Sequence, residues 1–239
     1  MSFSDIVRSG LTAWELPADE KPLARLEGFC ARLLETNRVM NLTAVTDPDA
    51  VAVRHMLDSL FLLTAADFSG KRVIDVGTGA GFPGLPLKLY RPELDVTLLD
   101  STRKRIDFVA RTAEELGCPV RAVAARAEEL IAQKGEREGY DIAVSRAVAP
   151  LNILAELCLP FIRPGGLFLP SKSANDAFRE ELEQGRGAVA ALGGAVRDII
   201  EYTLPGEEGR RCVLVIEKQR PTPAQYPRRY AKIAAAPLR

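Results

Sequence analysis

The chain has 239 residues, 47% hydrophobic and 27% charged, which excludes intrinsic disorder and implies a packed core. Its formal net charge of zero argues against a protein that coats nucleic acid by bulk attraction. No stretch is long and apolar enough to span a bilayer, and the opening MSFSDIVRSG lacks the basic-then-apolar order of a secretory signal, so no membrane contact and a cytoplasmic location are expected.

Between Ala18 and Asn37, the apolar residues Leu23, Leu26, Phe29, Cys30, Leu33 and Leu34 recur at spacings of three and four, which predicts an amphipathic helix. In a second helix Asp47 is the cap, Pro48 occupies the first turn, and Val53, Met56, Leu57, Leu60 and Phe61 form the buried stripe. Residues 1–66 are therefore expected to form an N-terminal helical extension. After Gly70 short β-rich runs alternate with helical segments: KRVIDV, LDVTLLD, PVRAVAA, YDIAVS and GGLFLPS. Such alternation predicts parallel strands joined by crossover helices. AVRDIIEYTL and RRCVLVIEK are separated only by the turn Pro205 to Gly209, too short for a parallel crossover, so they should pair as an antiparallel hairpin.

The expected fold is α/β, a Rossmann-like sheet over residues 67–220 with a C-terminal antiparallel hairpin. Residues 221–239, PTPAQYPRRYAKIAAAPLR, form a basic, proline-containing tail laid over the body or reaching toward a partner. From Gly209 onward eight basic residues face Glu217 alone, a charge of +7 against −7 elsewhere. That excess suits a local grip on a polyanion and equally the solvation of a terminal strand. Cys30, Cys118, Cys158 and Cys212 lie far apart, without zinc or redox spacing, and read as buried thiols.

The first strand runs into Asp75-Val76-Gly77-Thr78-Gly79-Ala80-Gly81-Phe82-Pro83-Gly84. Alternating glycines allow unusual dihedrals and close backbone approach, suited to a strand-to-helix turn around a nucleotide-like ligand. The dinucleotide fingerprint needs glycine at position 82; Phe82 followed by Pro83 weighs against NAD. S-adenosylmethionine has no pyrophosphate, and Phe82 is expected as an apolar wall. Asp100 closes the second strand, placed for ribose hydroxyls, leaving Ser101 or Thr102 to cap the next helix. The turn Ala125 to Glu129 could frame an adenine, although Glu128 and Glu129 also suit a helix first turn. Arg146, ending the fourth strand, stands where an acceptor would lie, or pairs with Asp75 or Asp141. On the second helix Arg54, His55 and Asp58 share a face: either an Arg54–Asp58 bridge with the sole histidine packed alongside, or a contact to RNA. Arg103, Lys104 and Arg105, with the tail, could track phosphates.

These residues resemble the RsmG (GidB) family, bacterial enzymes that methylate guanine N7 in a 16S rRNA loop near the decoding centre. The resemblance rests on Asn41-Leu42-Thr43, Arg54-His55 with Asp58-Ser59-Leu60, DVGTGAGFPG with Leu85 and Pro86, LLDSTRKRIDFV, SRAVAPL, PGG and TPAQYPRR. It implies an S-adenosylmethionine pocket of Gly77, Phe82, Asp100, Ala127, Glu128 and Arg146, to which the adjoining Thr78, Gly79, Ser101 and Thr102 are added, with Arg146 also positioning the acceptor and no acid–base residue or metal expected. RNA contacts are expected from Arg54, His55, Arg103, Lys104, Lys172, Arg228 and Arg229. Where relatives often show lysine-glycine after the fifth strand, this chain has Pro170-Ser171-Lys172-Ser173. The implied partner is 16S rRNA or the 30S subunit, met by a monomer. Alternatives are a ribosome-assembly factor retaining the pocket, a methyltransferase for protein or small molecules, and an NAD-dependent oxidoreductase.

Overall fold

In the computed structural model, which describes residues 1–239, seven strands form one sheet. They are β1 (Arg72–Val76), β2 (Asp95–Asp100), β3 (Arg121–Ala124), β4 (Tyr140–Arg146), β5 (Ile162–Ser173), β6 (Gly194–Thr203) and β7 (Arg210–Lys218), in the order β3-β2-β1-β4-β5-β7-β6. Strands β1 to β5 pair in parallel; β7 runs antiparallel to both β5 and β6. The hairpin thus folds back so that its second strand, not its first, meets the parallel sheet. The burial pattern agrees, since β7 is buried over Cys212–Ile216 whereas the edge strand β6 is mostly not.

Alternation along each strand sends side chains to opposite faces. Val73, Leu98, Val144 and Leu169 enter a core shared with the N-terminal helices, while Ile74, Leu99, Ala143 and Phe168 enter one on the other face. The first face is covered by the helices Phe3–Ala13, Glu20–Met40, Gly84–Tyr90 and Arg103–Glu115; Leu151–Cys158 and Asp176–Ala191 lie on the second. The four cysteines are buried and free. No helix is long and apolar enough to cross a membrane.

Helix Phe3–Ala13 was not among the expected elements. Its signal lies in Ser2 and Asp5, which form a reciprocal capping box, and in buried Phe3, Val7 and Leu11. The expected helix over 18–37 runs Glu20–Met40, ending where Asn41 turns left-handed at φ 50°. Asp47 caps the next helical segment by accepting from Ala50 N at 2.9 Å, with Pro48 in its first turn. Within that segment Ala52–Leu57 is π-helical. The wider turn takes residues four apart out of alignment, and such bulges are frequent at functional sites.

The tail packs down. Its helix Tyr230–Ala235 buries Ile233 in the second core, and Arg228 meets the fully buried Glu156 at 2.6 Å.

Candidate active site at the carboxyl edge of β1 and β4

Strand order reverses between β1 and β4, so the connections leave the sheet edge in opposite directions and open a crevice there. The glycine loop leaves β1 into it. Gly77 and Thr78 both donate to Leu99 O, at 2.8 and 3.0 Å, which ties the loop to β2. Gly77 has φ 77°, and a Cβ there would stand 2.5 Å from Val148 Cγ2. Asp75 lies beneath, fully buried, its Oδ2 accepting from Thr78 Oγ1 at 2.6 Å and Gly84 N at 2.8 Å. Burial pushes its carboxyl up to about 7, and Oδ1 has no partner.

Gly77, Asp100, Ser101, Thr102, Ala127 and Glu128 all line a cavity of about 410 Å³, with Leu99 and Leu157 among its apolar walls. That volume suits a nucleoside-sized ligand. Asp100 accepts from Gly79 N at 3.0 Å and from Thr102 N at 2.8 Å. Thr102 holds the cap position of helix Arg103–Glu115 but makes no side-chain capping bond. A single carboxylate therefore both serves that helix start and faces the cavity, contrary to the expected division of labour: it has two oxygens, and one satisfies each backbone donor. The residues fit S-adenosylmethionine: apolar walls for a base and a carboxylate for a ribose diol.

Phe82 is not in that cavity's lining. It lies in a second cleft, of about 250 Å³, with Leu42, Thr43, His55 and Arg146, and this cleft shares Gly77, Arg105 and Ala147 with the first. The chain turns inward after Gly81, so the ring packs on Phe29 and on His55, with centroids 5.1 and 4.6 Å away. Arg146 lies over its face at 4.9 Å.

Arg146 pairs with neither Asp75 nor Asp141. Its partner is Asp58, at 2.8 Å, and it also donates to Arg54 O at 3.2 Å. Asp141 is taken by Arg163 and the Arg72 N–H at the opposite strand end. Asp58 is wholly buried and holds Arg211 at 3.1 Å and Tyr202 Oη at 2.7 Å as well. The expected Arg54–Asp58 bridge is therefore absent; the π turn breaks the alignment, and Arg54 pairs with Glu207 in the β6–β7 turn at 2.7 Å. His55 Nε2 lies 2.8 Å from Thr43 Oγ1, and Nδ1 3.3 Å from Arg146. Burial, then the adjacent guanidinium, lowers its pKa to about 4.

Of the cations expected to meet RNA, Arg103, Lys104 and Arg229 are exposed and form no ion pair. Besides Arg54, paired with Glu207, two are engaged elsewhere. Lys172 binds Glu181 at 2.6 Å and Ala149 O at 2.8 Å, and Arg228 is held by Glu156. Arg211 points inward to Asp58, and buried Lys218 donates to Leu159 O and Thr222 with Glu138 3.8 Å away, so much of the tail's positive excess is neutralised where it lies. Tyr202, Arg211 and Tyr230 reach these clefts or their supports without any signal in local spacing.

A crevice at the sheet's reversal point, a nucleoside-sized cavity beside a glycine loop, and a second cleft against it are the arrangement of a class I S-adenosylmethionine-dependent methyltransferase. The fold is similar to that of a 16S rRNA (adenine(1408)-N(1))-methyltransferase from Catenulisporales acidiphilia solved with SAM, with a TM-score of 0.51 at 15% identity over 69% of this chain and 93% of that one. The family model described as rRNA small subunit methyltransferase G matches residues 22–205, and the chain belongs to that family, GidB. It is 42% identical to the Ribosomal RNA small subunit methyltransferase G of Alkaliphilus metalliredigens over 98% of both chains. The protein of that name from Deinococcus deserti is 47% identical over 91% of this chain and 89% of its own. An NAD-dependent oxidoreductase is not favoured.

Proposed function

We propose that the protein transfers a methyl group from S-adenosylmethionine to N7 of a guanine in 16S rRNA, acting as a cytoplasmic monomer on the rRNA or the 30S subunit. The observation that carries this reading is the junction of the two clefts at Gly77, Arg105 and Ala147, a shared edge across which a small group can pass. S-adenosylmethionine supplies, when bound, an electrophilic methyl on a sulfonium. Guanine N7 has an in-plane lone pair and no proton to lose, so the protein needs no general base.

Its residues have instead to position and to exclude water, and positioning alone can lower a barrier by roughly 7–11 kcal/mol. Arg146, fixed by Asp58 and by Phe82 beneath it, presents its guanidinium to the acceptor cleft, where it donates to guanine O6 and leaves N7 free. His55, neutral above pH 5, adds a polar edge without a competing charge. Asp100 takes the ribose, while the backbone at Ala127 and Glu128 borders the base. Exposed Arg103, Lys104 and Arg229 meet the RNA backbone, joined by Arg54, which stays half-exposed in its pair with Glu207, and by His55 in the cleft lining.

The test is methylation of 16S rRNA and 30S subunits from a strain lacking this gene, using tritiated S-adenosylmethionine and mapping the labelled base. Label on guanine N7, lost with Arg146→Ala, is expected. Label on another atom or on protein would overturn the reading, and binding without single-turnover transfer would favour an assembly factor.

A further inference from the structure

The cofactor cavity has a wall supplied by the end of the chain. Tyr230 is one of its lining residues, although 105 positions separate it from Ala125, which lies on the same side. The residue is held at its ring and at its backbone. The Arg126 guanidinium lies 5.2 Å from its centroid, and Glu128 accepts from the Tyr230 N–H at 3.3 Å. Below, Arg228 grips Glu156 through Nε and both carboxylate oxygens, and Ile233 is sunk into the core that floors the cavity with Leu99, Leu130 and Leu157. Arg137 adds bonds to the carbonyls of Thr222, Pro223 and Tyr226. The tail is thus strapped down on each side of Tyr230, which remains 38% exposed and lines the cavity.

The two clefts fix which end of the cofactor this ring meets. The reacting sulfur has to lie at the edge shared with the acceptor cleft, at Gly77 and Ala147, and the ribose at Asp100. The base must then extend to the remaining end, bounded by Ala125, Arg126, Ala127, Leu157 and Tyr230. An adenine there offers a flat face to the one aromatic side chain of the lining, and aromatic rings prefer offset or edge contacts with such a face.

We infer that Tyr230 is a cofactor-affinity residue: its ring, supported by Arg126 and carried on the strapped-down tail, forms the outer wall of the adenine subsite. This rests on the cavity holding S-adenosylmethionine, and makes the C-terminal tail part of the binding site.

The experiment is calorimetry with S-adenosylhomocysteine on the full-length wild type, Tyr230→Ala and Tyr230→Phe, with steady-state kinetics and inhibition by S-ribosylhomocysteine, which lacks the base. Base–aromatic stacking predicts that Tyr230→Ala weakens S-adenosylhomocysteine about 5- to 150-fold. The KM for S-adenosylmethionine should rise in step, with kcat and the KM for RNA unchanged. Tyr230→Phe should stay within about twofold of wild type on the same stacking argument, and S-ribosylhomocysteine should inhibit all three proteins alike. Equal affinity in wild type and Tyr230→Ala, or equal weakening of the baseless analogue, overturns the inference; the latter would show that Tyr230 merely holds the tail. Failure of the wild type to bind S-adenosylhomocysteine would strike the cofactor reading itself.

Discussion

Asp58 and Arg146, 88 positions apart, meet at 2.8 Å, with the carboxylate wholly buried and the guanidinium lining the proposed acceptor cleft. One acid on the π-helical side of the molecule thereby aims the cation at the end of β4. Asp58 also neutralises Arg211 and accepts from Tyr202, so its loss strands two arginines and a buried hydroxyl. Breaking a buried pair by removing one partner costs about 3–5 kcal/mol. Asp58→Asn should lower the urea midpoint accordingly and reduce kcat more than the affinity for S-adenosylhomocysteine. Unchanged kcat in the folded variant would show that Arg146 needs no such anchor.

His55 is the only histidine, so its titration can be followed without overlap. Burial and the Arg146 charge bring its pKa from about 6.5 to about 4. The unfolded chain therefore takes up a proton first as pH falls, and stability present above pH 6.5 is lost progressively down to pH 4. The imidazole NMR signals should titrate near 4, and His55→Gln should flatten the stability profile over that range. A midpoint near 6.5 would mean that the ring is solvated.

Gly77 and Gly79 both have positive φ, 77° and 58°, but only at Gly77 would a Cβ strike a neighbour, Val148. A left-handed non-glycine residue costs about 1–2 kcal/mol in either case. Gly77→Ala should in addition displace Val148, a cavity wall, and weaken S-adenosylhomocysteine by at least about tenfold, the equivalent of one further clash of about 1.4 kcal/mol. Gly79→Ala should be milder; the reverse order in a binding titration would contradict the loop geometry.

Arg103 and Lys104 are exposed without an ion-pair partner, whereas Lys172 is bound to Glu181. Each phosphate contact adds about 0.7–0.9 to the slope of log affinity against log salt. Arg103→Gln with Lys104→Gln should reduce the slope for 16S rRNA by about 1.5, on the same relation, and leave cofactor affinity alone. Lys172→Gln should leave the slope unchanged and lower thermal stability. A steeper loss from Lys172→Gln than from the double variant would reverse the assignment.

Strand positions, the glycine turn, Asp100 and the hairpin were legible because each depends on a few neighbouring residues: alternation in KRVIDV or LDVTLLD, φ at Gly77, the short link before Gly209. Even the overlooked helix Phe3–Ala13 carried its local signature in Ser2 and Asp5. The partners of the charged residues were not legible. Spacing offered Asp58 to Arg54, but the π turn intervenes, and Arg54 finds Glu207 153 positions away. Arg228 meets Glu156 across 72 positions and Tyr230 meets Glu128 across 102.

The sequence by itself determined the order of elements, the parallel sheet with its antiparallel end, and the glycine turn after β1, since backbone propensity and burial periodicity act locally. Only the tertiary structure decided that β7 lies between β5 and β6, that Phe82 lines the second cleft with His55 and Arg146, and that Tyr230 of the tail walls the first. Which cation an acid selects, and which face a ring covers, depends on what converges in space and how much water is left there, and short stretches of sequence do not encode that.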